Sequence, residues 1–304
     1  MIRGFYFSLI GILIGLTFIF VWQNFSEGNF ISIEGLSLVK ESGSFINRPI
    51  TILILGKPGW GYIGGENTDT IILAHFNPQK KKIYLISIPR DLLVLDEDGY
   101  LVKINSLYGD KKMDLLLERI TEISGLRIND YIVIDLHLVK KIVDFVGGVD
   151  LKVVDPIIDA VTLFTLKPGY YHLNSDWAEF ILRSRYAPEG DFARIKHQQE
   201  FILALWQKIK SLPKKDLINL AHLIFKNKNH WETNLDILQI YRLWSQIKDY
   251  STENIDGAVL NFKTGLLRGG TFRTKRGLEY GILPNDDMLK YDQIREWIKL
   301  KIES

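Results

Sequence analysis

Cysteine is absent from the 304 residues, which excludes disulfides, a thiolate nucleophile and cysteine-bound metal centres. Histidine is scarce. The six present (His75, His137, His172, His197, His222 and His230) show no HExxH or comparable spacing, so no histidine-based zinc site is expected. The chain also lacks a strong charge of either sign. Its formal net charge is +2, with 38 Lys and Arg against 36 Asp and Glu. Bulk attraction to nucleic acid is therefore not indicated, no nucleic-acid partner is expected, and any anion site must come from local clustering. Neither a GxSxG elbow nor a Walker A loop is present, and there is no internal repeat or low-complexity segment.

Long apolar runs are lacking too, with one exception. Phe5 to Trp22 reads FYFSLIGILIGLTFIFVW without a charge. As a helix it spans about 27 Å at roughly 1.5 Å per residue, close to a bilayer core. A cleaved signal peptide would have a shorter apolar core and small residues before its cleavage site, whereas this run ends in Phe20, Val21 and Trp22. The expectation is a single-pass anchor over residues 5–22. Residues 1–4 form a cytoplasmic tail behind Arg3, 23–48 a linker, and 49–304 an extracytoplasmic domain.

Within that domain, Ile50 to Leu55, Thr70 to His75, Ile83 to Ile88, Tyr131 to Leu136 and Val149 to Val154 read as short β-branched strands. Helical periodicity is expected at about 109–124, 137–146, 176–182, 192–210, 214–225, 234–248 and 288–302. Gly147-Gly148 stops one of these helices. Residues 256–283 read as a strand pair with turns at Gly269-Gly270 and Gly277. Strands alternating with helices predict one α/β domain, layered α-β-α around a central mixed sheet.

The candidate chemistry sits at element ends. Asp69 precedes the second strand and Arg90 follows the third, the usual place for ligand groups in open α/β sheets. Lys103 lies between elements farther on. Arg183 to Gln199 reads RSRYAPEGDFARIKHQQ. On an extended backbone Arg183 and Arg185 point to one side, Pro188 and Gly190 break the chain, and Asp191 is placed to cap the next helix. Arg194 and Gln198 then share a helical face. Arginine forks suit bidentate phosphate contacts, but a solvated surface paired with Glu189, Asp191 and Glu200 explains this stretch equally well.

Four segments decide between the two. NTDTIILAHFNPQKKKIYLISIPRDLLV, KIN, DFVGGVDLKV and RSRYAPEGDFARIKHQQ follow one another between about 50 and 210. With the apolar run before them, they resemble the LytR-CpsA-Psr family of bacterial cell-envelope proteins. The resemblance implies an extracytoplasmic phosphotransferase that moves a glycopolymer from a polyprenyl-pyrophosphate carrier to peptidoglycan through a phosphodiester. It implies that Arg90, Lys103, Arg183, Arg185, Arg194 and Gln198 hold the pyrophosphate, with Arg90, Arg183, Arg185 and Asp191 catalytic. Asp69 would help bind Mg²⁺, and the space between sheet and helices would take the lipid tail. Asp191 either orients Arg194 or Arg185 or accepts the hydroxyl proton; the spacing does not separate these roles. Many members carry a second metal-linked aspartate just after the first strand, in a GxD context, and here that segment reads Gly56-Lys57-Pro58-Gly59. Either Glu66 takes over, or Asp69 and water complete the shell, or metal use is altered. A polyprenyl-pyrophosphate phosphatase and a non-catalytic lipid-diphosphate-binding or regulatory protein are the alternatives on the same residues.

Overall fold

The computed structural model describes residues 48–158, 164–184, 190–286 and 289–303. The apolar run at 5–22, nearly all of the expected linker, Arg185 and Met288 lie outside the described residues. Among those that are described, no helix is long and apolar enough to cross a membrane.

Three strands form an antiparallel meander: β1 (Ile50–Lys57), β2 (Thr70–Asn77) and β3 (Lys82–Ser87). A β4–β5 hairpin (Leu93–Leu95, Leu101–Lys103) leads to helices α1 (Ser106–Gly109) and α2 (Met113–Ser124). Strand β6 (Ile128–Asp135) then returns parallel to β1 and feeds α3 (Leu136–Phe145). Small strands β7 (Val149–Val153), β8 (Ile157–Ile158), β9 (Thr165–Leu166) and β10 (Gly169–Leu173) precede α4 (Ser175–Arg183), α5 (Asp191–Lys210) and α6 (Lys214–Lys226). The chain ends with β11 (Trp231–Thr233), α7 (Ile237–Ile247), β12 (Ile255–Val259), the hairpin β13 (Leu267–Thr274) and β14 (Gly277–Pro284), and α8 (Asp292–Glu303). Strand order in the six-stranded sheet is β11-β6-β1-β2-β3-β12. The sheet is mixed, because β1–β6 and β3–β12 pair parallel while β1–β2, β2–β3 and β6–β11 pair antiparallel.

Both faces of the sheet are covered, so its central strands can be apolar throughout. Alternation along β1 sends Ile52 and Ile54 to one core and Leu53 and Leu55 to the other. The first core packs under α3, α4, α6, α7 and the second half of α5. The second packs under α2, α8 and the β13–β14 hairpin. Helix α5 joins the two, with Phe192 and Ile195 in the second core and Phe201, Ile202 and Trp206 in the first. Its N-terminal turns therefore pass over the end of the sheet where β2 begins and β3 ends.

Four local expectations are corrected. Arg183 is the last residue of a helix, not part of an extended segment, because the apolar spacing of Ala178 and Ile181 carries α4 to that point. Asp191 makes no cap hydrogen bond. Gly190, at φ 59°, makes the turn instead, and the Asp191 carboxylate is drawn to two guanidinium groups. Gly269-Gly270 is not a turn but lies inside β13, paired with Ile282 and Gly281. A Cβ on Gly269 would come 2.5 Å from the Tyr280 hydroxyl, so glycine there admits an aromatic side chain. The start of the region expected to form that strand pair, β12, instead joins the central sheet beside β3.

Candidate active site

The site is built at one edge of the sheet. Strands β1 and β6 end side by side at Lys57 and Asp135, and β2 begins at Thr70 opposite Gly56. Asp69 precedes β2, Arg90 follows β3 by three residues, and α5 delivers Asp191 and Arg194 from above. The Arg90 Nη1 donates to Asp69 Oδ1, and its Nε lies 3.3 Å from Asp191 Oδ1. Arg194 has no solvent exposure at all. Its Nη2 lies 2.8 Å from the same Asp191 oxygen and donates to the Asp69 carbonyl at 3.1 Å. Lys103 Nζ is 2.9 Å from Asp91 Oδ1, and Asp91 Oδ2 is 3.8 Å from the Arg90 Nε. Three cations and three carboxylates thus interlock. Burial opposes the charge on Arg90, but Asp191, Asp69 and Asp91 outweigh it and hold the guanidinium above its ordinary pKa.

Gln198 ties the helices to the sheet. Its Oε1 accepts from Thr70 Oγ1 at 3.0 Å and its Nε2 donates to the Leu182 carbonyl at 3.0 Å. Gln199 donates to Ser87 Oγ at 2.5 Å. Arg183 stands apart from the interlocked group: Nη1 donates to Glu179 at 3.1 Å, and the guanidinium lies 4.4 Å over the Tyr62 ring. Burial and the Glu179 hydrogen bond raise the Tyr62 pKa. Arg183 nevertheless shares a cavity with Asp69, Thr70 and Gln198. That cavity, of about 80 Å³, runs between the sheet and α3 and α5, with Ile54, Ile72 and Phe201 inside and the polar residues at its mouth.

The sequence-expected residues Asp69, Arg90, Asp191 and Arg194 are therefore in contact. Lys103 joins through Asp91, Gln198 and Arg183 line the adjoining cavity, and Arg185 lies outside the described residues. Glu66 is paired with Lys57 at 2.6 Å. Among the described residues no three His, Cys, Asp or Glu side chains converge as a metal cage. Asp91, Tyr62 and the buried Asp135 escaped sequence reasoning. Asp91 stood in plain view after Arg90, and Asp135 ends a buried strand, which was the available signal.

A family model described as "LytR_cpsA_psr family" matches residues 34–286. The chain is 26% identical over 219 residues to the polyisoprenyl-teichoic acid–peptidoglycan teichoic acid transferase TagV of Bacillus subtilis (strain 168), covering 69% of this chain and 56% of that protein. It is 29% identical over 218 residues to the corresponding TagU of Bacillus cereus, covering 71% of this chain and 69% of that one. The crystal structure of Bacillus subtilis TagV superposes with a TM-score of 0.62 at 23% identity, over 84% of this chain and 98% of that one.

Proposed function

Since the chain belongs to the LytR_cpsA_psr family, we propose that it is an extracytoplasmic phosphotransferase moving a glycopolymer from a polyprenyl-diphosphate carrier to peptidoglycan. The observation that carries this reading is the junction of two unlike surfaces. Asp69, held by Arg90, stands with Lys57 and Arg183 in the lining of an apolar cavity, and Lys103 joins Arg90 through Asp91. A lipid-linked diphosphate has the same two-part chemistry. TagV and TagU, by their names, act on polyisoprenyl-linked teichoic acid and peptidoglycan, which supports the same class of donor and acceptor here. Residues 5–22 would anchor the chain beside its lipid substrate.

Arg90, Lys103, Arg183 and Arg185 would meet the diphosphate, and Arg194 and Gln198 would support it from behind. Arg194 has no exposed surface, so it acts by fixing Asp191 and the Asp69 backbone. Asp191, shared by two guanidinium groups, orients them so that their donors are preorganised where the leaving phosphate gathers charge. The empty cavity is small for a long prenyl chain, so lipid entry would part α3 or α5 from the sheet.

Mg²⁺ would sit here only as a guest shared with the substrate. Asp69 would supply one carboxylate, and substrate phosphate oxygens and water the rest, since no three His, Cys, Asp or Glu side chains converge among the described residues. When bound, the ion would neutralise charge on the diphosphate. The test is incubation of the full-length protein in detergent with a lipid-diphosphate glycan, with and without peptidoglycan fragments. Polyprenyl phosphate release that requires the acceptor supports the transferase. Equal release without acceptor would identify a phosphatase, and binding without release a non-catalytic lipid-binding protein.

A further inference from the structure

At the same sheet edge, on the side away from Arg90, lies a second set of groups that the phosphate cluster does not use. Strand β11 runs antiparallel to β6 and sets His230 beside Asp135. His230 Nδ1 is 2.7 Å from Asp135 Oδ2, and the other carboxylate oxygen accepts the Leu138 N–H at 3.0 Å as the cap of α3. Both oxygens accept, so Nδ1 carries a proton, and in the neutral ring Nε2 presents its lone pair. Among the described residues Nε2 has no hydrogen-bond partner, and the side chain keeps 18% of its exposure.

Around this pair the glycine-rich loop builds an aromatic surface. Trp60, 74% exposed, stacks on His137 with ring centroids 5.6 Å apart and planes inclined by 19°. Tyr62 lies 5.5 Å from His137, and His137 lies 5.6 Å from His230. Tyr62 is also the ring beneath Arg183, so the surface reaches the cavity mouth without a gap. The loop is held in place. His137 Nε2 donates to the Trp60 carbonyl at 2.9 Å, and Gly59 N–H donates to Gly65 at 2.8 Å. A Cβ on Gly59, where φ is 92°, would meet the His137 ring at 2.9 Å and Asp135 Oδ2 at 3.1 Å. Glycine there lets the loop close onto the histidine pair.

A rigid, exposed indole beside a histidine with an open, oriented nitrogen suits a pyranose ring, which offers an apolar C–H face and a rim of hydroxyls. Asp135 and Asp69 lie two strand spacings apart, about 10 Å, which leaves room for a diphosphate between them. In-line displacement requires the nucleophile to enter opposite the leaving group. With the leaving lipid phosphate on the arginines and its tail in the cavity, the nucleophile belongs on the histidine side.

We propose that Trp60, Tyr62 and His137 form the platform for an amino-sugar ring of the acceptor glycan, and that His230, held by Asp135, takes the proton of its attacking hydroxyl. This rests on the phosphotransferase reading. The acceptor oxygen bonds to the sugar-linked phosphorus, the bond from that phosphorus to the bridging oxygen breaks, and polyprenyl phosphate leaves. The hydroxyl proton passes to Nε2 and from there to solvent or the departing phosphate.

The test uses the full chain in detergent, a lipid-diphosphate glycan as donor and a soluble tetramer of N-acetylated amino sugars as acceptor. Trp60→Ala raises the acceptor KM at least fivefold and leaves the donor KM unchanged. Asp135→Asn keeps a helix cap but donates to Nδ1, reversing the tautomer, so kcat falls about a hundredfold with both KM values unchanged. His230→Ala matches that loss while donor binding persists, which reports a folded site. Wild-type kcat and acceptor KM in Trp60→Ala and His230→Ala would overturn the inference, as would a raised donor KM in Trp60→Ala. If the wild type turned over no donor, the phosphotransferase reading itself would fail. Tetramer binding, read by saturation-transfer NMR, would still decide the platform: lost in Trp60→Ala if it exists, equal in both proteins if it does not.

Discussion

The two faces of the sheet carry cores of similar composition that do different things. Beneath α2 and α8 the second core is closed, with Leu116, Ile120 and Ile294 essentially without exposure, and the buried Thr51 and His75 on that face hydrogen-bond each other. Beneath α3 and α5 the first core leaves a cavity, and that cavity is lined at the sheet edge by Asp69, Asp135 and Arg183. The difference comes from the covering helices. Helix α5 both closes the first core and presents Asp191, Arg194 and Gln198 to the edge, whereas α2 and α8 cover the second core alone. One face secures the fold, while the other gives up some packing to make a site.

The largest effect that would break this comparison is at Arg90, which ties Asp69 to Asp191. Arg90→Ala should lower glycopolymer transfer at least a hundredfold, because a preorganised cation at the leaving phosphate is lost. Arg90→Lys should recover little, since an ammonium lacks the fork. Thermal denaturation should separate Arg90 from Arg194. Arg194→Ala removes the fully buried partner of the half-buried Asp191 and should cost about 3 kcal/mol of stability.

Core substitutions sharpen the contrast. Leu116→Ala in the closed core should cost about 2–5 kcal/mol in a denaturant titration and leave the transfer rate of the folded protein unchanged. Ile72→Trp, filling the cavity, should do the reverse: a smaller change in the denaturation midpoint and at least a tenfold loss of affinity for lipid-linked donor. If both substitutions affected lipid affinity equally, the two faces would not differ in function.

The last expected effect is on acid stability. Burial holds His75 and His197 at about 4, well below the ordinary 6.5, so both stay neutral in the folded chain. Between pH 6.5 and 4 the unfolded chain binds these protons and the folded chain does not, so stability falls as pH drops, by at most about 3 kcal/mol per histidine. Burial raises Glu200 to about 6, and it works the opposite way between pH 6 and 4.5, offsetting part of the loss. Denaturation midpoints from pH 7 to 4 read the net decline, and His75→Gln should flatten it.

Much of this arrangement was legible in the sequence because it follows from local pattern. The buried strands announced themselves by β-branched runs, and Asp69 and Arg90 were marked by their place at strand ends. The spacing of Arg194 and Gln198 put both on the face that meets β2. What was not legible depends on partners distant in the chain. Nothing near Asp191 says that its carboxylate will answer Arg90, 101 positions earlier, and not cap its own helix. Asp135 and His230, 95 residues apart, meet only because β11 pairs with β6. The short strands β4, β5 and β11 carry too few residues to show an alternation, and they form because neighbours supply their hydrogen bonds.

The central claim is that the cavity and the charged edge together bind a lipid-linked diphosphate. Full-length protein purified from a membrane fraction can be examined by native mass spectrometry for bound polyprenyl phosphate or diphosphate, beside the Ile72→Trp and Leu116→Ala proteins. The account predicts the lipid on the wild type and on Leu116→Ala and its loss from Ile72→Trp. Lipid retained by Ile72→Trp at the wild-type level would contradict it.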